Sequence, residues 1–258
     1  MKIPETEAGF VARRRDRHRI AVRISVAILL CAALARSQGQ SADVTLRLDF
    51  AAHSGRRRAA DTSTPSVAWL TPVSGDPPSA SPPEPRTYRM VQKNKRFDPH
   101  LLVVPVGSNV EFPNEDPFFH NVFSLYNGKR FDLGLYETGS ERGVRFDREG
   151  ISYIFCNIHP EMGAVILALS TPYYAISRDG AITIAHVPPG RYALNVWSEV
   201  ATADSLNAAR RQLTVTAQGA ALGAITLVAA PSPIVHHANK FGESYPAGAQ
   251  QAYPGSPN

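Results

Sequence analysis

Phe155-Cys156-Asn157-Ile158-His159-Pro160-Glu161-Met162 places a thiol, an imidazole and a thioether at the spacing Cys-x2-His-x2-Met. Upstream, Asp116-Pro117-Phe118-Phe119-His120-Asn121-Val122 supplies a second imidazole. Two imidazoles, one thiolate and one thioether suit copper: sulfur donors favour a soft metal, and imidazole accommodates both of its oxidation states. The spacing is too tight for a helix to aim Cys156, His159 and Met162 at one point. A rigid turn can do so, and Pro160 stiffens that turn after His159. A loop between two strands at the rim of a β-sandwich, with His120 arriving from a neighbouring strand, meets the demand. Such a rim holds its geometry while a metal does the redox chemistry.

The flanking sequence supplies the strands. Gly143–Asp147 and Ile151–Phe155 lie on either side of the turn Arg148-Glu149-Gly150, and Ala164–Leu169 follows the ligand loop. Before them, Tyr88–Gln92 alternates, Leu101–Val106 is a buried run, and Gly107-Ser108-Asn109 turns into Val110-Glu111-Phe112. Pro113–Asp116 breaks that strand just ahead of His120, and Asn121–Leu125 runs to the turn Tyr126-Asn127-Gly128. Earlier still, Asp43–Phe50 alternates with period two and Ser66–Leu70 reads as a short strand. Many short strands joined by Gly and Asn turns predict an all-β fold: a Greek-key β-sandwich over residues 43–170, with a Pro-rich insertion at 74–86. A second, smaller β-sandwich is expected over 171–230, from strands at Tyr173–Ser177, Ala181–Ala185, Arg191–Trp197, Leu213–Val215 and Ala224–Val228. About sixty residues is marginal for an independent core, so this unit is expected to pack on the first. Residues 231–258 are polar and Pro-rich without an apolar period, which predicts a disordered tail.

Residues 1–35 have the build of a secretory signal: basic Arg13–Arg19, uncharged apolar Ile24–Ala35, and small-x-small Ala33-Leu34-Ala35. The apolar run is short for a membrane span and Arg23 opens it, so cleavage near Ala35 and a periplasmic or secreted protein are expected. An uncleaved signal tethering the chain is the alternative. The segment holds seven basic and three acidic residues of the 27 and 22 in the chain, leaving 20 against 19 elsewhere. Most of the net charge of +5 thus belongs to the signal, and no basic patch points to nucleic acid. The chain has two cysteines, and Cys31 leaves with the signal. Cys156 is then a lone thiol in an oxidising compartment, a liability unless something occupies it.

Other readings of the donors stand beside copper. Zinc binds Cys and His, but a structural zinc wants four strong ligands and Met is a poor one. A Cys156–His159 nucleophile pair would need an orienting third group and an oxyanion site, and neither is visible. The pair His236-His237 in the tail reads as a solvated surface feature, and His100 as a loop residue. Phe155 reads as core; Phe118 and Phe119 are either core or an apolar surround for the donors.

Asn114, Asp116 and His120-Asn121-Val122, with the loop Cys156–Met162, resemble the cupredoxins, the plastocyanin-like blue-copper proteins, in the short loop spacing of amicyanin. The resemblance implies His120, Cys156 and His159 as strong ligands of one type 1 copper and Met162 as a weak axial ligand. It implies that Asn121 bridges the two ligand loops. The chain also resembles exported methylamine-utilisation-like proteins, whose copper module precedes a carboxypeptidase-regulatory-like β-sandwich. Asp179-Gly180, Val187-Pro188-Pro189-Gly190-Arg191-Tyr192 and Val196-Trp197 are similar to that second module. The expected function is electron transport between redox protein partners rather than enzymatic turnover. The alternative is a copper-holding or partner- or carbohydrate-binding module with a non-redox metal.

Overall fold

Short runs of β-branched and aromatic residues, punctuated by Gly, Pro and Asn, fold as strands along the described chain. The computed structural model describes residues 41–52, 65–73, 83–125, 128–177, 179–230 and 238–244. The signal segment, most of the Pro-rich insertion, Tyr126-Asn127 and the tail stretches 231–237 and 245–258 lie outside the described residues. The strands are β1 (Ala42–Ala51), β2 (Ser66–Pro72), β3 (Thr87–Arg89), β4 (Val91–Lys93), β5 (Arg96–Asp98) and β6 (Leu101–Pro105). They continue with β7 (Asn109–Pro113), β8 (His120–Ser124), β9 (Phe131–Tyr136), β10 (Glu141–Arg145), β11 (Gly150–Phe155) and β12 (Gly163–Leu169). After these come β13 (Tyr174–Ser177), β14 (Ala181–Val187), β15 (Gly190–Ser198), the helix α1 (Ala203–Ala209), β16 (Arg211–Val215) and β17 (Ala220–Val228).

Two sandwiches result. In the first, a five-stranded sheet ordered β6-β12-β11-β8-β9 faces the three-stranded sheet β10-β7-β3 across a core that includes Val110, Phe112, Phe146, Ile154 and Ile166. In the second, β14-β1-β17 faces β13-β2-β15-β16 across Val44, Leu46, Leu48, Tyr192 and Leu194. Strand β12 shows why the two stack. Ala164, Ile166 and Ala168 point into the first core, while Val165, Leu167 and Leu169 join Val67 of β2 and Trp197 of β15 in a third cluster. A strand buried on both faces reads as a continuous apolar run, as Ala164–Leu169 does. The two sandwiches therefore share an apolar contact cluster, and the second packs on the first.

Three sequence expectations change. The strands Asp43–Phe50 and Ser66–Leu70, expected within the first sandwich over 43–170, pair instead with the later strands. Strand β1 is the middle strand between β14 and β17, and β2 lies between β13 and β15. Physically, the segment after residue 171 is too short to build two sheets alone, and the alternating apolar face of β1 completes its core. Second, the region after Trp197 includes an unforeseen helix, α1, capped where the Thr202 side chain accepts from the Ser205 N–H. Third, residues 238–244, expected to be part of a disordered tail, form an ordered turn in which the Asn239 side chain accepts from the N–H groups of Phe241 and Glu243.

Candidate metal centre

The antiparallel pairing of β11 and β12 ends at Phe155 and Gly163, leaving residues 156–162 as the connecting loop. Two backbone bonds close it: Cys156 N–H donates to Met162 O (3.1 Å) and Met162 N–H donates to His159 O (3.0 Å). The loop is thus a tied turn, as its spacing and Pro160 predicted. Cys156 and Met162 are fully buried in the first core, and His159 keeps 5% of its surface exposed. His120 opens β8, which pairs with β11 through Phe123 and Phe155. That pairing carries His120 to the thiol. Cys156 Sγ lies 3.7 Å from His120 Nδ1 and 3.5 Å from His159 Nδ1. One donor atom from each of His120, Cys156 and His159 falls within 4.8 Å of the others, the single such grouping of His, Cys, Asp and Glu among the described residues. Phe118 packs its ring against both imidazoles, at centroid distances of 5.2 and 5.6 Å. Phe119 is half-exposed, and Phe155 packs inward against Phe123.

Asp116, which the sequence motif includes without a role, holds His120. His120 Nε2–H donates to Asp116 Oδ2 at 2.7 Å, both side chains being buried. The same carboxylate accepts from the backbone N–H groups of Asn94 (2.6 Å) and Lys95 (2.9 Å). Those two residues form the tip of the β4–β5 hairpin, both with positive φ (54° and 56°), as a two-residue hairpin turn requires. Asn114 shapes the approach: its amide donates to Phe118 O (2.8 Å) and its Oδ1 accepts from Asp116 N–H (3.0 Å). The signal for Asp116 is its place four residues before His120 in an irregular loop, where no periodicity marks it.

Burial sets the charge state of the donors. It pushes the His159 imidazole down to about 4, with the nearby His120 acting in the same direction. It also lowers His120, against the opposing pull of Asp116, and raises the Cys156 thiol. Burial would raise Asp116, but hydrogen bonds from Lys95, His120 and Asn94 together hold it below the usual carboxylate range. At neutral pH both imidazoles are therefore uncharged, and only the thiol proton must leave before a cation can be held.

Asn121 hydrogen-bonds to the ligand loop and to β9. Its Oδ1 accepts from Asn157 N–H (3.2 Å), and its Nδ2 donates to Asp132 Oδ1 on β9 (2.7 Å). Lys240 closes the arrangement: its N–H donates to Asn157 Oδ1 (2.8 Å) and its Nζ to Asp132 Oδ2 (2.6 Å). His100 is more than a loop residue, since Nδ1 is 3.0 Å from Gly163 O and Nε2 is 2.6 Å from Glu199 Oε2. His236-His237 lies outside the described residues.

No protein-family model and no curated protein sequence matches the chain. Among solved structures it is similar to a purple cupredoxin from Nitrosopumilus maritimus, at 26% identity and a TM-score of 0.30, covering 32% of this chain and 99% of that one. It is similar to amicyanin from Paracoccus versutus at 16% identity and a TM-score of 0.31, covering 32% and 81%. A copper-containing nitrite reductase from Thermus scotoductus SA-01 matches at 26% identity and a TM-score of 0.32, over 39% of this chain but only 26% of that enzyme.

Proposed function

We propose that this chain is an exported protein that binds one type 1 copper ion and carries single electrons between protein redox partners. The observation that carries the reading is the convergence of two imidazole nitrogens on one buried thiol, from two loops that the fold ties together. His120, Cys156 and His159 would hold the metal, and the thioether of Met162, buried in the same core as Cys156, would add a weaker donor. The donor chemistry fits: two neutral imidazoles and a single thiol suit copper, and a thioether suits it better than zinc. Bound copper would supply one-electron redox chemistry. The protein's own part is to exclude water through Phe118 and the surrounding core, and to keep the loop from moving when charge changes. His159, the only one of the four to retain any exposed surface, is the proposed route for electrons to a partner docked at the rim.

Export rests on the signal-like residues 1–35 and on the lone thiol of the remaining chain. Among the described residues no helix is long and apolar enough to cross a membrane. The decisive experiment adds Cu(II) to the purified protein and records the visible spectrum, then repeats it with Cys156→Ser. An intense thiolate-to-copper band, absent in the variant, is expected. A colourless protein that holds copper equally well after Cys156→Ser would replace this reading with that of a non-redox metal module.

A further inference from the structure

The geometry assigns residues 239–243 to a clasp on the ligand loop, with Lys240 as its positioning residue. Its effect on the metal rests on the copper reading; its hold on the loop does not. Asn157 directly follows Cys156, so whatever fixes Asn157 fixes the peptide that aims the thiol. That residue is gripped from two sides. Its N–H donates to Asn121 Oδ1, and its side-chain Oδ1 accepts from Lys240 N–H, 83 residues away. Lys240 Nζ then donates to Asp132 Oδ2, whose other oxygen accepts from Asn121 Nδ2. Four residues from four separate stretches of chain form a closed ring of hydrogen bonds: Asn157 to Asn121, Asn121 to Asp132, Lys240 to both Asp132 and Asn157.

The clasp is rigid before it reaches the ring. Asn239 Oδ1 accepts from Phe241 N–H and Glu243 N–H, both at 2.9 Å, and Asn239 Nδ2 donates to Glu243 Oε2 at 3.1 Å. Asn239 N–H donates to Glu243 O, and Gly242 N–H returns to Asn239 O, in a turn that Gly242 permits with φ +83°. A self-built turn delivers the Lys240 N–H in a fixed direction. Without the Lys240 side chain, Asp132 loses its cation and the Asn121 amide loses a fixed partner, while the backbone N–H bond to Asn157 remains.

The test uses the full-length protein with Lys240→Met, Asn239→Ala and the conservative Lys240→Arg. In metal-free protein, hydrogen exchange at the Asn157 amide is expected to quicken about tenfold or more in the first two, with amides of β11 unchanged and Lys240→Arg close to wild type. In copper-loaded protein, the same two variants should release copper to a chelator about 10–100-fold faster, the usual cost of losing groups that orient ligands, and shift its reduction potential. Unchanged Asn157 exchange in Lys240→Met overturns Lys240 as the positioning residue, whether or not Asn239→Ala folds. Faster exchange with unaltered copper release and potential overturns the positioning role. A wild-type protein that forms no thiolate–copper band sinks the copper reading alone, because the exchange comparison still decides whether the clasp holds the loop.

Discussion

Asp116 accepts three hydrogen bonds at once, one from His120 and two from the β4–β5 turn, and that makes it the strongest single lever on the site. A carboxylate behind an imidazole fixes its tautomer and orientation and raises its basicity, which favours the more highly charged state of a bound metal. Asp116→Asn is therefore expected to raise the reduction potential of the copper-loaded protein and to weaken copper binding by about 10–100-fold. Protein-film voltammetry and a competitive chelator titration would read both, and an unmoved potential would show that the carboxylate only packs. Cys156, His159 and Met162 are legible from sequence because one tied turn carries all three, so spacing alone encodes their meeting. Asp116 and Lys240 are not, because their partners are reached through an irregular loop and through a fold contact 108 residues long. Neither leaves a period in the chain.

Strand β12 carries alternate residues into two different cores, so neighbouring substitutions there should have separable effects. Leu167→Ala removes a fully buried side chain from the interface cluster, away from the donors. It is expected to cost about 2–5 kcal/mol by urea denaturation while leaving the thiolate–copper band in place. A band altered in parallel with stability would mean that the interface and the site are mechanically coupled. Elements such as β12 and β11 could be read directly, since apolar runs bounded by turns are a local property. Strand β9 could not: Gly134 sits in its middle with φ +69°, the register against β8 shifts there, and only Tyr136 of its residues is buried. The helix α1 was equally hidden, because its seven residues bury only Ala209 and so show no helical stripe.

Across the molecule, His100 ties the two sandwiches together beside the ligand loop. It touches Gly163 O in the first and Glu199 in the second, in a cavity of about 280 Å³ also lined by Arg96, Tyr153 and Glu161. The hydrogen bond to Glu199 raises the His100 imidazole above its ordinary value, against the lowering effect of burial. A group raised in this way contributes fully below its unfolded value of about 6.5 and ceases to contribute as pH rises through the higher folded value. The stability difference between wild type and His100→Gln should thus be larger in mildly acidic than in alkaline buffer. It should stay within about 1 kcal/mol, because nearly half of the His100 side chain is exposed. A difference that does not vary with pH would remove the charge from the link. The presence of two sandwiches was legible, but their division was not, since strand partners separated by an entire sandwich are not written in local alternation. That division has a kinetic corollary. Thr171 Oγ1 donates to Leu70 O, 101 residues earlier, and Leu70 N–H donates to Tyr173 O. The intervening block therefore leaves and re-enters its host at one point. Once that block has collapsed on itself, its two ends are already neighbours, and the entropy of closing so long a loop is no longer an obstacle to zipping the remaining strands.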